Sequence, residues 1–286
     1  MSGPILVTGG TGTLGRPLVE CLTQQGRGVR VLSRRPAPDG SEAAGQEAAG
    51  HGLVSWATGD LKTGRGIDAA AEGAEVIVHC ATGRGDAAAA SNLIEAAKRA
   101  DRPHLVYISI VGIDRVSLGY YKSKLDVERQ IESSGLPWTV LRATQFHELV
   151  LRICEALARV PVMLVPAMSM QPVAAAEVAA RLAELAAGPP AGRVPDMGGP
   201  EVHAFGGLAR MYLNARSRRR GLLPVRVPGA AFAGLRRGAN LASDHATGRI
   251  TFAQFLALRF GPATGPGQAT APGQTPGPYG NAAGRA

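Results

Sequence analysis

The chain has 286 residues, 45% of them apolar, enough for a sizeable core in one large or two small domains. It contains no run of about 18 apolar residues and no basic-then-apolar opening segment, so no membrane span and no secretory leader are expected. Its three cysteines, Cys21, Cys80 and Cys154, are odd in number and far apart, which excludes a disulfide or metal framework and fits a reducing cytoplasm. The net charge of +9 is concentrated in residues 201–260, where ten arginines face only Glu201 and Asp244.

Ile5-Leu6-Val7 is a short β-branched and apolar run followed at once by Thr8-Gly9-Gly10-Thr11-Gly12-Thr13-Leu14-Gly15. Strand, glycine turn and helix is the expected order. Two glycine spacings fit: Gly10, Gly12 and Gly15 as G-x-G-x-x-G, or Gly9, Gly12 and Gly15 as G-x-x-G-x-x-G. In this context the turn reads as a pyrophosphate cradle at a helix N-terminus, with Gly9, Thr11, Gly12, Thr13, Leu14 and Gly15 as cofactor contacts.

The second strand is Val29–Ser33. A dinucleotide site that prefers NAD usually has an acidic residue here to hold the ribose 2′-hydroxyl. This chain has Arg34-Arg35-Pro36. Guanidinium groups bond a 2′-phosphate bidentately, so NADP(H) is predicted over NAD(H). Residues 36–52 read as a loose surface connection. Leu53–Ala57 and Glu75–Cys80 are the third and fourth strands. Their exits, Asp60-Leu61 and Ala81-Thr82, are further cofactor contacts, Asp60 either accepting from an adenine amino group or capping its turn. His79 and Cys80 read as packing residues.

A helix over Ala87–Ala100, strands at Leu105–Ser109 and Trp138–Leu141, and the entry prolines Pro103 and Pro137 continue the alternation. Such alternation predicts an α/β, doubly wound parallel sheet, whose ligands sit outside the carboxyl ends of the strands. Between the fifth and sixth strands, Tyr120 and Lys124 are four residues apart and share one helix face. A nearby ammonium favours the phenolate, which makes Tyr120 a usable proton donor or acceptor.

These segments resemble the atypical and extended short-chain dehydrogenase/reductases, in particular their NmrA-like, NAD(P)H-binding branch. The resemblance runs over roughly residues 4–258 and rests on Thr8–Gly15, Leu32-Ser33-Arg34-Arg35-Pro36, Val106-Tyr107-Ile108-Ser109, Tyr120–Lys124 and Leu136–Arg142. It implies a Rossmann-like domain over residues 1–160 and a small C-terminal α/β substrate domain over 161–260. It places Tyr120 and Lys124 at the family's Tyr-x-x-x-Lys pair and Ser109 at or beside its serine or threonine, with Lys124 also holding the nicotinamide ribose. Gln145, Phe146, His147 and Glu148 are expected to line the nicotinamide and substrate cavity, although a lone histidine reads more readily as structural than as a general acid or base. Two positions depart from the pattern: Ile110 follows Ser109 where many members carry a second Ser or Thr, and Ala143 replaces a common proline. The implied activity is an NAD(P)H-dependent oxidoreductase that transfers hydride to a small carbonyl or activated alkene. The alternative is a non-catalytic sensor of NADP(H) that acts on a protein partner, as some members of this branch do.

In the last third, Val160–Pro166 is extended, and Gln171-Pro172-Val173 leads into a helix over Ala174–Ala187. Gly192–Pro200 reads as a strand and turn, and Ala204–Ala215, Gly229–Asn240 and Thr251–Leu258 as helices. Arg216-Ser217-Arg218-Arg219-Arg220 follows a helix end. No helix-turn-helix or zinc-finger spacing accompanies it and few aromatics interleave it, so solvated surface is favoured over nucleic acid, a membrane surface or another anion. Residues 261–286 hold seven glycines and five prolines without apolar periodicity, the composition of a disordered tail.

Overall fold

The computed structural model describes residues 3–35, 53–83 and 85–261. The expected loose connection at 36–52 and all of the tail beyond Gly261 lie outside the described residues. Strands β1 (Ile5–Thr8), β2 (Val29–Ser33), β3 (Val54–Thr58), β4 (Val76–His79), β5 (His104–Ile110) and β6 (Trp138–Ala143) alternate with helices α1 (Gly15–Gln24), α2 (Ile67–Ala71), α3 (Asp86–Arg99) and α4 (Gly119–Glu132). There follow α5 (His147–Leu157), β7 (Val162–Pro166), β8 (Ser169–Met170), α6 (Ala175–Ala187) and β9 (Gly192–Arg193). The chain closes with β10 (His203–Ala204), α7 (Phe205–Ala215), β11 (Gly221–Val225), α8 (Ala230–Arg236) and α9 (Phe252–Phe260).

Seven strands form one parallel sheet in the order β3-β2-β1-β4-β5-β6-β9. This is an α/β fold of the Rossmann-like, doubly wound kind, and the strand order reverses beside β1, where such sheets open a crevice. β1 and β4 are buried throughout because helices cover both faces, and each is apolar up to its last residue, Thr8 or His79. Ile5, Val7, Val76 and Val78 pack with α1 and α6 on one side, and Leu6 and Ile77 with α2, α3 and α4 on the other.

The division at residue 160 is not what the structure draws. Helix α6 lies on α1 and the main sheet, and β9 pairs with β6 at Thr139 and Val140, so residues 175–193 return to the first layer. The second core is assembled from α5, β7, α7 and α9, around Val150, Cys154, Met163, Phe205 and Phe252. Periodicity identifies α6 as amphipathic but says nothing about which surface its apolar face meets. The predicted helix at Gly229–Asn240 is shorter, ending at Arg236, and Gly238 takes the left-handed conformation (φ 78°) just beyond it. Among the described residues, no helix is long and apolar enough to cross a membrane.

Candidate functional site

The carboxyl ends of β1 to β6 open on a cleft of about 860 Å³. Every candidate residue named from the sequence lines it except His147. The glycine turn supplies one end. Gly9 has φ 70°, and a Cβ there would stand 2.7 Å from the Ala81 amide nitrogen. A Cβ on Gly15 would collide with the Gly9 carbonyl. Gly12 and Gly15 face the cleft with Gly9, whereas a Cβ on Gly10 would meet Val31 at 2.7 Å, so G-x-x-G-x-x-G is the spacing that shapes the site. No side chain caps the start of α1. The amide groups at Thr13, Leu14 and Gly15 therefore border the cleft at the positive end of the helix dipole, a suitable seat for a pyrophosphate.

Arg34 and Arg35 stand exposed at the same end, in a turn fixed by the Arg35 amide donating to Ser33 Oγ (3.1 Å). Asp60 Oδ1 accepts from the Lys62 amide at 3.0 Å, which caps its turn, and the residue stands on the wall of the cleft. These groups fit a phosphorylated dinucleotide: bare backbone at its middle and two guanidinium groups at its rim.

Beneath the glycine end of the cleft, Thr8 Oγ1 lies 2.7 Å from His79 Nδ1, and the His79 ring stacks on Tyr107 at 5.4 Å. Burial, then the charge of Lys124, pushes the His79 pKa down to about 3, so the ring is neutral packing. Cys80 lines the cleft, and burial pushes its thiol up to about 12.

The Tyr120 and Lys124 side chains converge through Asp86, the first residue of α3. The Thr82 hydroxyl donates to Asp86 Oδ2 at 2.9 Å and lies 2.9 Å from the Tyr120 hydroxyl. Since Thr82 spends its own proton on Asp86, Tyr120 is the donor in the second bond. Lys124 is buried, with its Nζ 3.8 Å from Asp86 Oδ2 and 4.9 Å from the centre of the Tyr107 ring. One carboxylate thus ties both members of the Tyr120/Lys124 pair. Tyr120 is 47% exposed on the cleft, whereas the Tyr121 ring is buried against Ile113, Val116 and Leu235. Ser109 Oγ is buried on the cleft wall and has no hydrogen-bond partner among the described residues.

One electrostatic expectation is corrected. The Tyr120 hydroxyl is shifted away from ionisation, not toward it. Burial raises the Tyr120 pKa, Thr82 offsets part of this, and the Asp86 charge adds to it. Burial also lowers the Lys124 pKa, with Asp86 opposing. Helix α4 is pinned from behind: Arg142 donates to both oxygens of Glu128 (2.9 and 2.6 Å) and to Asp114 (3.0 Å). Such a bidentate buried pair fixes the orientation of the helix that carries Tyr120 and Lys124.

The far end of the cleft is formed by Gln145, Phe146, Glu148, Leu149 and Arg152. Gln145 is held by Asn240 and Gln171 (3.2 to 3.5 Å). His147 is turned away. Its ring is fully buried against Phe252 and Phe255, at 5.7 and 5.1 Å, so its assignment to substrate contact is withdrawn. One position along a helix rotates a side chain by about 100°, which sends Glu148 to the cleft and His147 into the core. Sequence reasoning missed Asp86 and Arg152. Asp86 looks like an ordinary first-turn acid. Arg152 could have been found from its i+4 spacing to Glu148.

A family profile described as NAD(P)H-binding matches residues 9–186. The chain is 31% identical over 143 residues to an isoflavone reductase homolog from Zea mays, covering 47% of this chain and 46% of that protein. It is 30% identical over 157 residues to an NAD(P)H azoreductase from Xenophilus azovorans, covering 54% and 52%. The chain thus spans about half the length of these two relatives. The fold is shared with an NADPH-dependent quinone oxidoreductase from Escherichia coli in complex with NADPH, with TM-score 0.74 and 19% identity over 90% of this chain and 99% of that one.

Proposed function

The chain belongs to the NAD(P)H-binding family, and from that premise we propose that it is a reductase that prefers NADP(H) and acts on a small carbonyl or activated alkene. The observation that carries this reading is the Tyr120–Thr82–Asp86–Lys124 constellation at the wall of the cleft. Gly9, Gly12, Gly15 and the start of α1 would hold the pyrophosphate, and Arg34 and Arg35 the 2′-phosphate. Bound NADPH supplies a hydride equivalent. On a carbonyl substrate, Tyr120 donates its proton to the oxygen. The raised pKa of Tyr120 suits this direction, because the phenol stays protonated until the oxygen becomes basic. Thr82 can then swing its O–H from Asp86 to the phenolate. Ser109, with its hydroxyl unpartnered in the described residues, donates to the same substrate oxygen. Lys124 would hold the nicotinamide ribose.

The test is NADPH fluorescence titration of the purified protein, followed by NADPH oxidation against a panel of carbonyls and enones. Saturable binding with substrate-dependent oxidation is expected. Binding without oxidation across the panel would favour the non-catalytic sensor acting on a protein partner, and no binding of either nicotinamide would overturn the reading of the glycine turn.

A further inference from the structure

Four of the large apolar side chains exposed among the described residues, Val160, Val162, Leu164 and Leu223, gather at one small ribbon far from the glycine turn in sequence. Strands β7 and β11 pair in parallel, with Val162 opposite Gly221 and Leu164 opposite Leu223. Side chains alternate between the faces of a strand. Met163 and Val165 accordingly point into the second core, while Val162, Leu164 and Leu223 share the outer face at 47%, 51% and 52% exposure. A contiguous exposed apolar face marks an interaction site more often than scattered single residues do.

Cations surround this face. Arg159 precedes β7, Arg218, Arg219 and Arg220 lead into β11, and Arg226 follows it, all of them exposed. Residues 156–176 and 202–243 contain no Asp or Glu. Among the described residues none of these five arginines enters an ion pair. Beside the ribbon, and sharing Gly221 and Leu222 with it, a recess of about 600 Å³ is lined by Arg210 and Arg218–Arg220. The Arg220 guanidinium donates to the Ala158 and Arg219 carbonyls, but crowded guanidinium groups with no ion-pair partner among the described residues call for an anionic partner, and their planar forks suit phosphate.

We propose that this ribbon docks the protein on the surface of an anionic phospholipid bilayer. The aliphatic face enters the boundary between headgroups and acyl chains, and the flanking arginines bind headgroup phosphates, as amphipathic surface anchors do. A nucleic acid would satisfy the arginines but leave the aliphatic face without a partner, since the ribbon offers no aromatic ring on which a base could stack. The surface is distinct from the cleft, so the inference stands apart from the proposed reductase activity.

Co-sedimentation of the full chain with vesicles tests it. Vesicles of phosphatidylcholine with phosphatidylglycerol should bind at least about tenfold more protein than phosphatidylcholine alone, and salt should release it. R218A/R219A/R220A should weaken binding roughly a hundredfold. Leu164→Ser with Leu223→Ser should weaken it by about tenfold or more, because both lose apolar burial. NADPH binding and circular dichroism should not change in either variant. If the leucine pair does not fold, the arginine triple decides alone. Equal or absent sedimentation with the two vesicle types would overturn the proposal. So would anionic binding indifferent to the arginines, salt-sensitive binding to a DNA duplex in place of vesicles, or a dimer in light scattering that the leucine pair dissolves.

Discussion

The two ends of the cleft are built from different material. At the glycine end the wall is backbone: Gly9 carries φ 70° with no space for a side chain, and Gly12 and Gly15 let the start of α1 come forward. At the far end the wall is side chain: Phe146, Glu148, Leu149 and Arg152 project from α5 and its approach, and Gln145 is set in place by Asn240 and Gln171 from distant parts of the chain. A backbone wall recognises what every dinucleotide shares. A side-chain wall recognises what one substrate has, and it can be rebuilt by a few substitutions without disturbing the sheet. Tyr120, the proposed proton donor, stands between the two.

Separating the two ends is therefore the sharpest way to break the scheme. Tyr120→Phe keeps the ring and removes only the hydroxyl. It should lower kcat by about 10²- to 10⁴-fold, the usual share of a proton donor, while leaving NADPH affinity within about twofold. Unchanged turnover would remove Tyr120 from the chemistry. A smaller effect is expected at the rim of the glycine end. Arg34→Asp with Arg35→Ala should weaken NADPH by about 10- to 100-fold through the loss of charge-assisted bonds and leave NADH nearly unaffected. Titrating both cofactors against both proteins checks this, and equal losses would show that the arginines do not read the 2′-phosphate.

The same contrast explains what could be read before folding. Strand β2 begins and ends where its sequence pattern says, and the glycine end is legible because glycine at φ 70° is demanded by local geometry. That Tyr120 and Lys124 share one helix face follows from their spacing alone. Asp86 was not legible, because its importance comes from two partners, Thr82 on a neighbouring strand exit and Lys124 on another helix. His147 reads as structural, and is, but its place on the cavity wall fails for the opposite reason: adjacency to Gln145 and Phe146 in sequence says nothing about which way a helix start turns it. The return of α6 to the main sheet after β7 and β8 is likewise a long-range event that amphipathicity cannot order.

Each end of the cleft also rests on a buried histidine, and acid separates the two. His79 lies under the glycine end with Thr8 as hydrogen-bond partner. His147 lies behind the far end, where no well-aligned hydrogen bond reaches its ring among the described residues and the Pro172 carbonyl offsets only part of the burial. Burial pushes their pKa values down to about 3 and about 4. Each histidine takes up a proton in the unfolded chain near its ordinary pKa of about 6.5 but not in the folded one. The unfolded state therefore binds more protons below that point, and stability falls as pH falls. Each contributes about 1.4 kcal/mol per pH unit once well below its unfolded value. The His147 contribution levels off near pH 4, and that of His79 continues to near pH 3. His147→Phe, which suits the Phe252 and Phe255 packing, should shallow the fall by about 1.4 kcal/mol per pH unit between about pH 5.5 and 4.5. Urea unfolding of both proteins across that window measures it. An identical slope would mean that His147 binds its proton equally in the folded and unfolded chains over that window, and would overturn the burial argument for this ring.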